Sequence, residues 1–289
     1  MMRNTITVEP IAGAVGAEIS GVDLSRDLSD PVIGDIRAAL LEHQVVFFRD
    51  QQLTPEQHLG FGRRFGELQI HEFVGGMAEY PEILEVRKEP EETRNFGGGW
   101  HTDVSYLERP ALGSVLYALE VPEFGGDTMF ASQYLAYEAL SDGMKSMLDG
   151  MIAVHSARRP YGPNAARARA YGPSSMRFNF SEAAHGEIEH PVVRTHVETG
   201  RKALYVNATF TLRFKDMTEE ESAPLLEYLC RHAVRPEFTC RFRWQKNSIA
   251  FWDNRCVQHN AVNDYHGERR LMHRISVKGT GFAGSAAGA

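Results

Sequence analysis

Apolar residues along this chain fall into many short runs separated by turn residues, and few of the runs have helical spacing. Residues 44–48, apolar after Gln44 and bounded by polar residues, predict a buried strand. Residues 238–244 alternate apolar and polar, the period of a strand with one buried face, and 248–252 read as a further strand. Further strands are expected at 5–8, 14–19, 83–86, 114–119, 128–130, 152–155, 190–196, 203–207, 257–261 and 271–277. Helices are announced by their caps. Ser29-Asp30-Pro31 and Thr54-Pro55-Glu56-Gln57 each place proline in the first turn, and Gln57 completes a capping box. Thr218-Glu219-Glu220-Glu221 opens a helix to about His232, with acids where they favour the helix dipole. Two shorter helices are expected at 134–140 and 141–148. No internal repeat or linker interrupts the series. The reading is one domain over residues 1–289, mainly β with flanking helices (α+β), built as a double-stranded β-helix or jelly roll.

Composition narrows the function. The chain has 289 residues, 43% of them hydrophobic, enough for a sizeable core, and a formal charge of −7. That balance argues against nucleic-acid binding, which needs a basic face. No apolar run is long enough to span a membrane, and no secretory signal follows Met1. Cys230, Cys240 and Cys256 are odd in number and lack CxxC spacing, so they read as reduced thiols of a cytoplasmic protein.

The candidate chemistry centres on Trp100-His101-Thr102-Asp103. On an extended strand His101 and Asp103 would face one side and aim at one point. A distant histidine would complete a two-histidine, one-carboxylate face of the kind that suits non-haem Fe(II) with open positions. His259 is the candidate, and Arg270 follows eleven residues later. Taken singly, each of these residues has an ordinary structural explanation. The ordered combination is far more specific. Between residues 95 and 99, Asn95-Phe96-Gly97-Gly98-Gly99 gives the approach to His101 a backbone able to bend sharply or come close to a ligand.

Together with Phe65-Gly66-Glu67-Leu68, Gly125-Gly126-Asp127-Thr128 and His190-Pro191-Val192-Val193-Arg194-Thr195-His196, these residues resemble the Fe(II)/2-oxoglutarate-dependent dioxygenases of the taurine dioxygenase and 2,4-dichlorophenoxyacetate dioxygenase family. The resemblance covers nearly the whole chain and implies a cupin-like, clavaminate synthase-like jelly roll. It implies Fe(II) held by His101, Asp103 and His259, with 2-oxoglutarate and O2 as cosubstrates. Arg270 and Thr128 match the residues that bind the far carboxylate of 2-oxoglutarate. His71 and Arg274 match residues that hold an anionic substrate head. Val74, Gly97, Val104 and Phe210 fall at other substrate-pocket positions. Residues 156–189 match an active-site lid. The expected reaction couples decarboxylation of 2-oxoglutarate to hydroxylation of a substrate C–H, with cleavage where that carbon bears a heteroatom group. A homo-oligomer, dimer or tetramer, is expected.

The departures bear on substrate. Gly97 stands where taurine dioxygenase has an asparagine near the amine, and Val74 where it has a tyrosine. Both changes disfavour taurine and favour a larger sulfonate, alkyl sulfate or carboxylate such as an aryloxyalkanoate. The arginines of the lid (Arg158, Arg159, Arg167, Arg169, Arg177) add a weaker pointer to a larger anion. The alternatives are a cupin-type hydrolase or isomerase using Zn or Mn at the same face, and taurine dioxygenase proper.

Overall fold

The strand Val45–Phe48 has no polar residue because both of its faces are covered. Val45 and Phe47 pack into one core with Phe130, Phe242 and Trp252. Val46 and Phe48 pack into another with Ile36, Leu40, Phe61 and Phe251. The neighbouring strand Ile249–Asp253 divides in the same way, Ala250 and Trp252 to the first core and Ile249 and Phe251 to the second. This period of two across a doubly covered sheet organises the computed structural model, which describes residues 6–165 and 175–279.

The doubly covered sheet has eight strands. Its main path runs Thr7–Pro10, Ala17–Ser20, Val45–Phe48, Ile249–Asp253, Gly113–Glu120, Arg270–Val277 and Leu68–Gln69, and Leu84–Lys88 also pairs with Arg270–Val277. Helices Asp30–His43 and Pro55–Arg63 cover its outer face. The predicted capping box of the second helix is present, Thr54 and Gln57 bonding reciprocally. Against the inner face lies a three-stranded sheet ordered Thr239–Phe242, Thr128–Ser132, Val257–Ala261. The first core fills the space between the two sheets, so the molecule is the expected jelly roll. A third core joins the helix Glu219–His232 to a smaller sheet of Thr211–Phe214, Ile152–Ser156 and Glu187–Pro191.

The single strand expected at 190–196 is two, Glu187–Pro191 and Val193–Thr195. The chain changes partner at Val192, leaving Ile152–Ser156 for Lys202–Leu204. Strand Thr211–Phe214 was not anticipated. Among the described residues no helix is long and apolar enough to cross a membrane, and the three cysteines are unpaired.

His58 shows what the second core demands. It is fully buried in the helix Pro55–Arg63, edge-on to Tyr117, and neither ring nitrogen has a hydrogen-bond partner. Burial, with His273 adding to it, pushes its pKa down to about 3. A lowered histidine pKa stabilises the fold above the unfolded value of about 6.5, and the contribution is lost as pH falls towards 3. Between about pH 7 and about pH 5 this group should cost the wild type about 2 kcal/mol. Denaturant unfolding at both pH values should show a smaller loss in His58→Leu. An equal loss in the two proteins would show that His58 is not the titrating group.

Candidate metal centre and cosubstrate pocket

His101 and His259 face each other across an isolated antiparallel bridge. Each backbone N–H donates to the other residue's carbonyl, at 3.1 Å from His101 and 2.9 Å from His259. Direct cross-strand pairing brings side chains together, and the two imidazole centroids are 4.2 Å apart. The expectation of an extended strand through Asp103 is corrected. Regular pairing ends at His101, and Asp103 begins a turn. That turn continues through Val104, a buried β-branched residue at φ +46°, a left-handed conformation such residues rarely adopt outside constrained sites. The turn, not strand alternation, brings the carboxylate back beside the rings. Asp103 Oδ1 lies 3.6 Å from His101 Nε2 and 3.9 Å from His259 Nε2. The three ligand atoms all fall within 4.8 Å of one another.

The hydrogen bonds fix which atoms remain available. His101 Nδ1 lies 2.9 Å from the Gly99 carbonyl and donates to it, leaving the Nε2 lone pair free. The loop that presents Gly99 is stitched to the Val257–Ala261 strand. Ala261 N–H donates to Gly97 O, and the Asn95 side chain donates to Ala261 O at 2.9 Å. Gly97 has φ +78°, and a Cβ there would stand 3.7 Å from His101 Cε1. Gly97 therefore sits against the imidazole as well as beside the pocket. Burial, with His101 nearby, holds His259 neutral, well below the usual histidine range. Burial works against ionisation of Asp103, but the Arg274 guanidinium overrides it and holds the carboxyl well below its ordinary value.

Three further residues support Asp103, and sequence reasoning missed all of them. Ser114 Oγ donates to Asp103 Oδ2 at 2.8 Å. Asn254 Oδ1 accepts from Asp103 N at 3.2 Å and from Trp252 Nε1 at 3.0 Å, while its Nδ2 donates to Ser114 Oγ. Ser114 comes from the next strand, eleven residues on, and Trp252 and Asn254 from the strand Ile249–Asp253 and the residue after it. The only local signal was a pair of polar residues, Asp253-Asn254, just after the apolar run 249–252.

Arg270 begins the Arg270–Val277 strand, fully buried, and its Nε and Nη2 have no hydrogen-bond partner. Burial lowers its pKa. A buried guanidinium with unfilled donors calls for an anion, and its planar fork matches a carboxylate. Thr128 belongs to the same pocket through Trp244, a residue the sequence did not single out. The Trp244 indole donates to Thr128 Oγ1 at 2.9 Å, and its ring lies 5.9 Å from the Arg270 guanidinium. With its acceptor side occupied, the Thr128 hydroxyl has its own proton to donate. Arg269 turns outward to Glu89 and Glu120, as strand alternation requires.

The substrate-side candidates also converge. His71, Val74 and Arg274 line one crevice. Arg274 Nη1 bonds Asp103 Oδ1 at 2.8 Å, so the proposed substrate cation touches the metal face directly. Burial, then Arg274, pushes His71 down to about 3. Its Nδ1 accepts from Phe73 N at 3.1 Å, which places the ring proton on Nε2 as a donor. Phe210 stands edge-on to His101 at 6.2 Å and packs on Tyr106. Of the lid, residues 166–174, with Arg167 and Arg169, lie outside the described residues. The remainder of the stretch expected as a lid contacts Phe73 through the stacked ring of Tyr161 and Val74 through a bridge to Phe178. The described lid arginines do not support the larger-anion inference. Arg158 pairs with Glu219, Arg159 donates to the carbonyls of Ala208 and Thr211, and Arg177 donates to Gly76 O.

A second group, His196, Asp253 and Cys256, also has ligand-like spacing. Its donors are spent internally. His196 Nε2 donates to Asp253 Oδ2, and Arg255 grips both carboxylate oxygens of Asp253.

Residues 7–276 match the family model described as taurine catabolism dioxygenase TauD, TfdA family. The chain belongs to this family. It is 35% identical over 278 residues to an alpha-ketoglutarate-dependent sulfate ester dioxygenase of Pseudomonas putida, covering 95% of this chain and 90% of that protein. The crystal structure of a taurine dioxygenase from Burkholderia xenovorans superposes with a TM-score of 0.80 at 38% identity, covering 95% of this chain and 91% of that one. A third relative, AAD-2 in complex with Mn(II) and N-oxalylglycine, superposes at 0.78 with 27% identity, covering 96% and 99%. The protein is thus a 2-oxoglutarate-dependent non-haem iron dioxygenase, with Fe(II), 2-oxoglutarate and O2 as its requirements. The donor set of two imidazoles and a carboxylate and the unfilled Arg270 fork both fit these groups.

If Asn254 positions Asp103, its loss should loosen metal binding without touching a ligand. Supporting residues of this kind typically contribute about 10–100-fold in metal affinity. Calorimetric titration of Mn(II) into Asn254→Ala should show a loss in that range. An affinity equal to wild type would remove Asn254 from the account.

Proposed function

We propose that the enzyme oxidises an alkyl sulfate ester, with His101, Asp103 and His259 as iron ligands and Arg270 and Thr128 as the 2-oxoglutarate anchor. The observation that carries the substrate reading is the pairing of one anion-binding corner with an apolar wall. Arg274 and the His71 Nε2–H supply the corner. Phe73, Val74, Phe210 and Tyr161 supply the wall. With Gly97 and Val74 in place of an asparagine and a tyrosine, no side chain at those two positions offers a hydrogen bond to a substrate amine. Sulfate ester oxidation is also what the name of the Pseudomonas putida relative describes.

When bound, the iron supplies O2 activation coupled to decarboxylation of 2-oxoglutarate. The protein's own residues then do four things. Arg270 and Thr128 fix the cosubstrate by its far carboxylate. Arg274 and His71 hold the sulfate oxygens, and the aromatic wall lays the alkyl chain so that its first carbon faces the metal. Ser114 and Asn254 keep Asp103 in place. Tyr161 and Phe178 on the lid keep water from the reacting carbon. Hydroxylation of that carbon gives an unstable hemiacetal sulfate, whose C–O bond to sulfate breaks to leave an aldehyde. Overall, alkyl sulfate, 2-oxoglutarate and O2 become aldehyde, sulfate, succinate, CO2 and a proton.

Hexyl sulfate should support O2 uptake matched one for one by succinate and sulfate release, and taurine should give less than about a tenth of that kcat/KM. His101→Ala should abolish both. Turnover of taurine equal to that of hexyl sulfate would overturn the substrate reading and favour taurine dioxygenase proper.

A further inference from the structure

Arg270 has a buried cationic neighbour. Strand Leu84–Lys88 pairs with Arg270–Val277 so that Leu84 lies opposite Arg274, Val86 opposite Met272 and Lys88 opposite Arg270. Leu84, Val86 and Met272 all belong to the core between the two sheets. Alternation therefore turns Lys88 and Arg270 towards that same interior. Each is 2% exposed.

Neither cation has a neutralising carboxylate at ion-pair distance among the described residues. Lys88 Nζ reaches two main-chain carbonyls, Tyr265 O and Glu268 O, both at 3.4 Å, and the face of the Tyr265 ring at 4.7 Å. The same ring stands 6.0 Å from the Arg270 guanidinium. Two acids border this end of the pocket, and neither forms an ion pair with Lys88 or Arg270, although Asp127 Oδ1 is buried without a hydrogen-bond partner. Asp127 Oδ2 is held by Arg241 at 2.6 Å. Asp264 accepts from Gly126 N through Oδ1 and from Arg241 through Oδ2. Like charges directly opposite across strands oppose pairing, and a buried charge without a counter-ion is costly. Two such charges on one tyrosine ring make an end of the pocket that a second anionic group would relieve.

We propose that Lys88 is a second cation of the cosubstrate pocket, a positioning residue that acts beside Arg270 and through Tyr265 to select an oxoacid carrying a distal carboxylate. The proposal rests on Arg270 anchoring 2-oxoglutarate. It separates two jobs that one guanidinium would otherwise do alone. Arg270 supplies the directional fork. Lys88 raises the local positive potential and ties the loop that holds Tyr265 in place.

The test is calorimetric titration of the Mn(II)-loaded protein with 2-oxoglutarate and with 2-oxopentanoate, which has a methyl group in place of the distal carboxylate. Lys88→Gln keeps an N–H donor for the two carbonyls and removes the charge. It should weaken 2-oxoglutarate about tenfold, leave 2-oxopentanoate unchanged, and so narrow the preference between them by about tenfold. Lys88→Arg, which keeps the charge, should retain the wild-type preference. If Lys88→Gln does not fold, Lys88→Met reads the same ratio. An unchanged preference in the uncharged variants, or equal weakening of both oxoacids, would overturn the proposal and leave Lys88 a loop tether. If the wild type itself did not prefer 2-oxoglutarate, the assignment of the Arg270 pocket would fail instead.

Discussion

The two backbone hydrogen bonds between His101 and His259 are the constraint on which the site depends. They join a loop to a strand more than 150 residues further along the chain, as the residue numbers give it. A single bridge suffices because each partner is anchored separately. His259 stands within the Val257–Ala261 strand, and the glycine-rich loop before His101 is tied to the end of that strand through Gly97 O and Asn95. The carboxylate arrives by a tight turn whose Val104 is held in a left-handed conformation. Nothing local would keep such a turn. Ser114, Asn254 and Trp252, all on or beside the doubly covered sheet, hold it in place.

Charge in this interior is arranged in layers along one strand. Arg274 and Arg270 share a face of Arg270–Val277, with the apolar Met272 between them. Arg274 reaches the metal-facing carboxylate, and Arg270 reaches the closed end of the pocket by Trp244 and Tyr265. The strand thus spaces the two guanidiniums that the proposed function assigns to anions. That spacing follows from the rise of a strand and the period of its side chains, so a sequence step of four places both guanidiniums on one face.

Much of this was legible in the sequence. The doubly buried strand at 45–48, the capping boxes at Thr54 and Thr218, the start of the first helix after Ser29 and the strand Val257–Ala261 were readable because their signals are local. The order of His101, Asp103, His259 and Arg270 was readable because it resembles that of the family, and the fold brings the first three within 4.8 Å of one another. The extended strand expected through Asp103 was wrong because a turn conformation in a valine leaves no mark in composition. The break at Val192 was hidden because a strand that changes partners keeps its alternation. Asn254, Trp244 and Lys88 went unnoticed because each acts on a residue far away in the chain, and Ser114 because a serine within an apolar strand carries no sign of the turn it supports. The larger-anion reading of the lid arginines failed at Arg158, Arg159 and Arg177, whose partners are carbonyls and carboxylates of the same surface.

The central claim is that metal binds to two imidazoles and one carboxylate between the sheets, not to the other buried cluster, His196, Asp253 and Cys256. Cobalt(II) distinguishes them, because binding by Cys256 would add a thiolate-to-cobalt charge-transfer band that nitrogen and oxygen ligands lack. Titration followed by absorption should show one equivalent bound without that band, and binding should be lost in Asp103→Ala. A thiolate band, or one equivalent still bound by Asp103→Ala, would contradict the account.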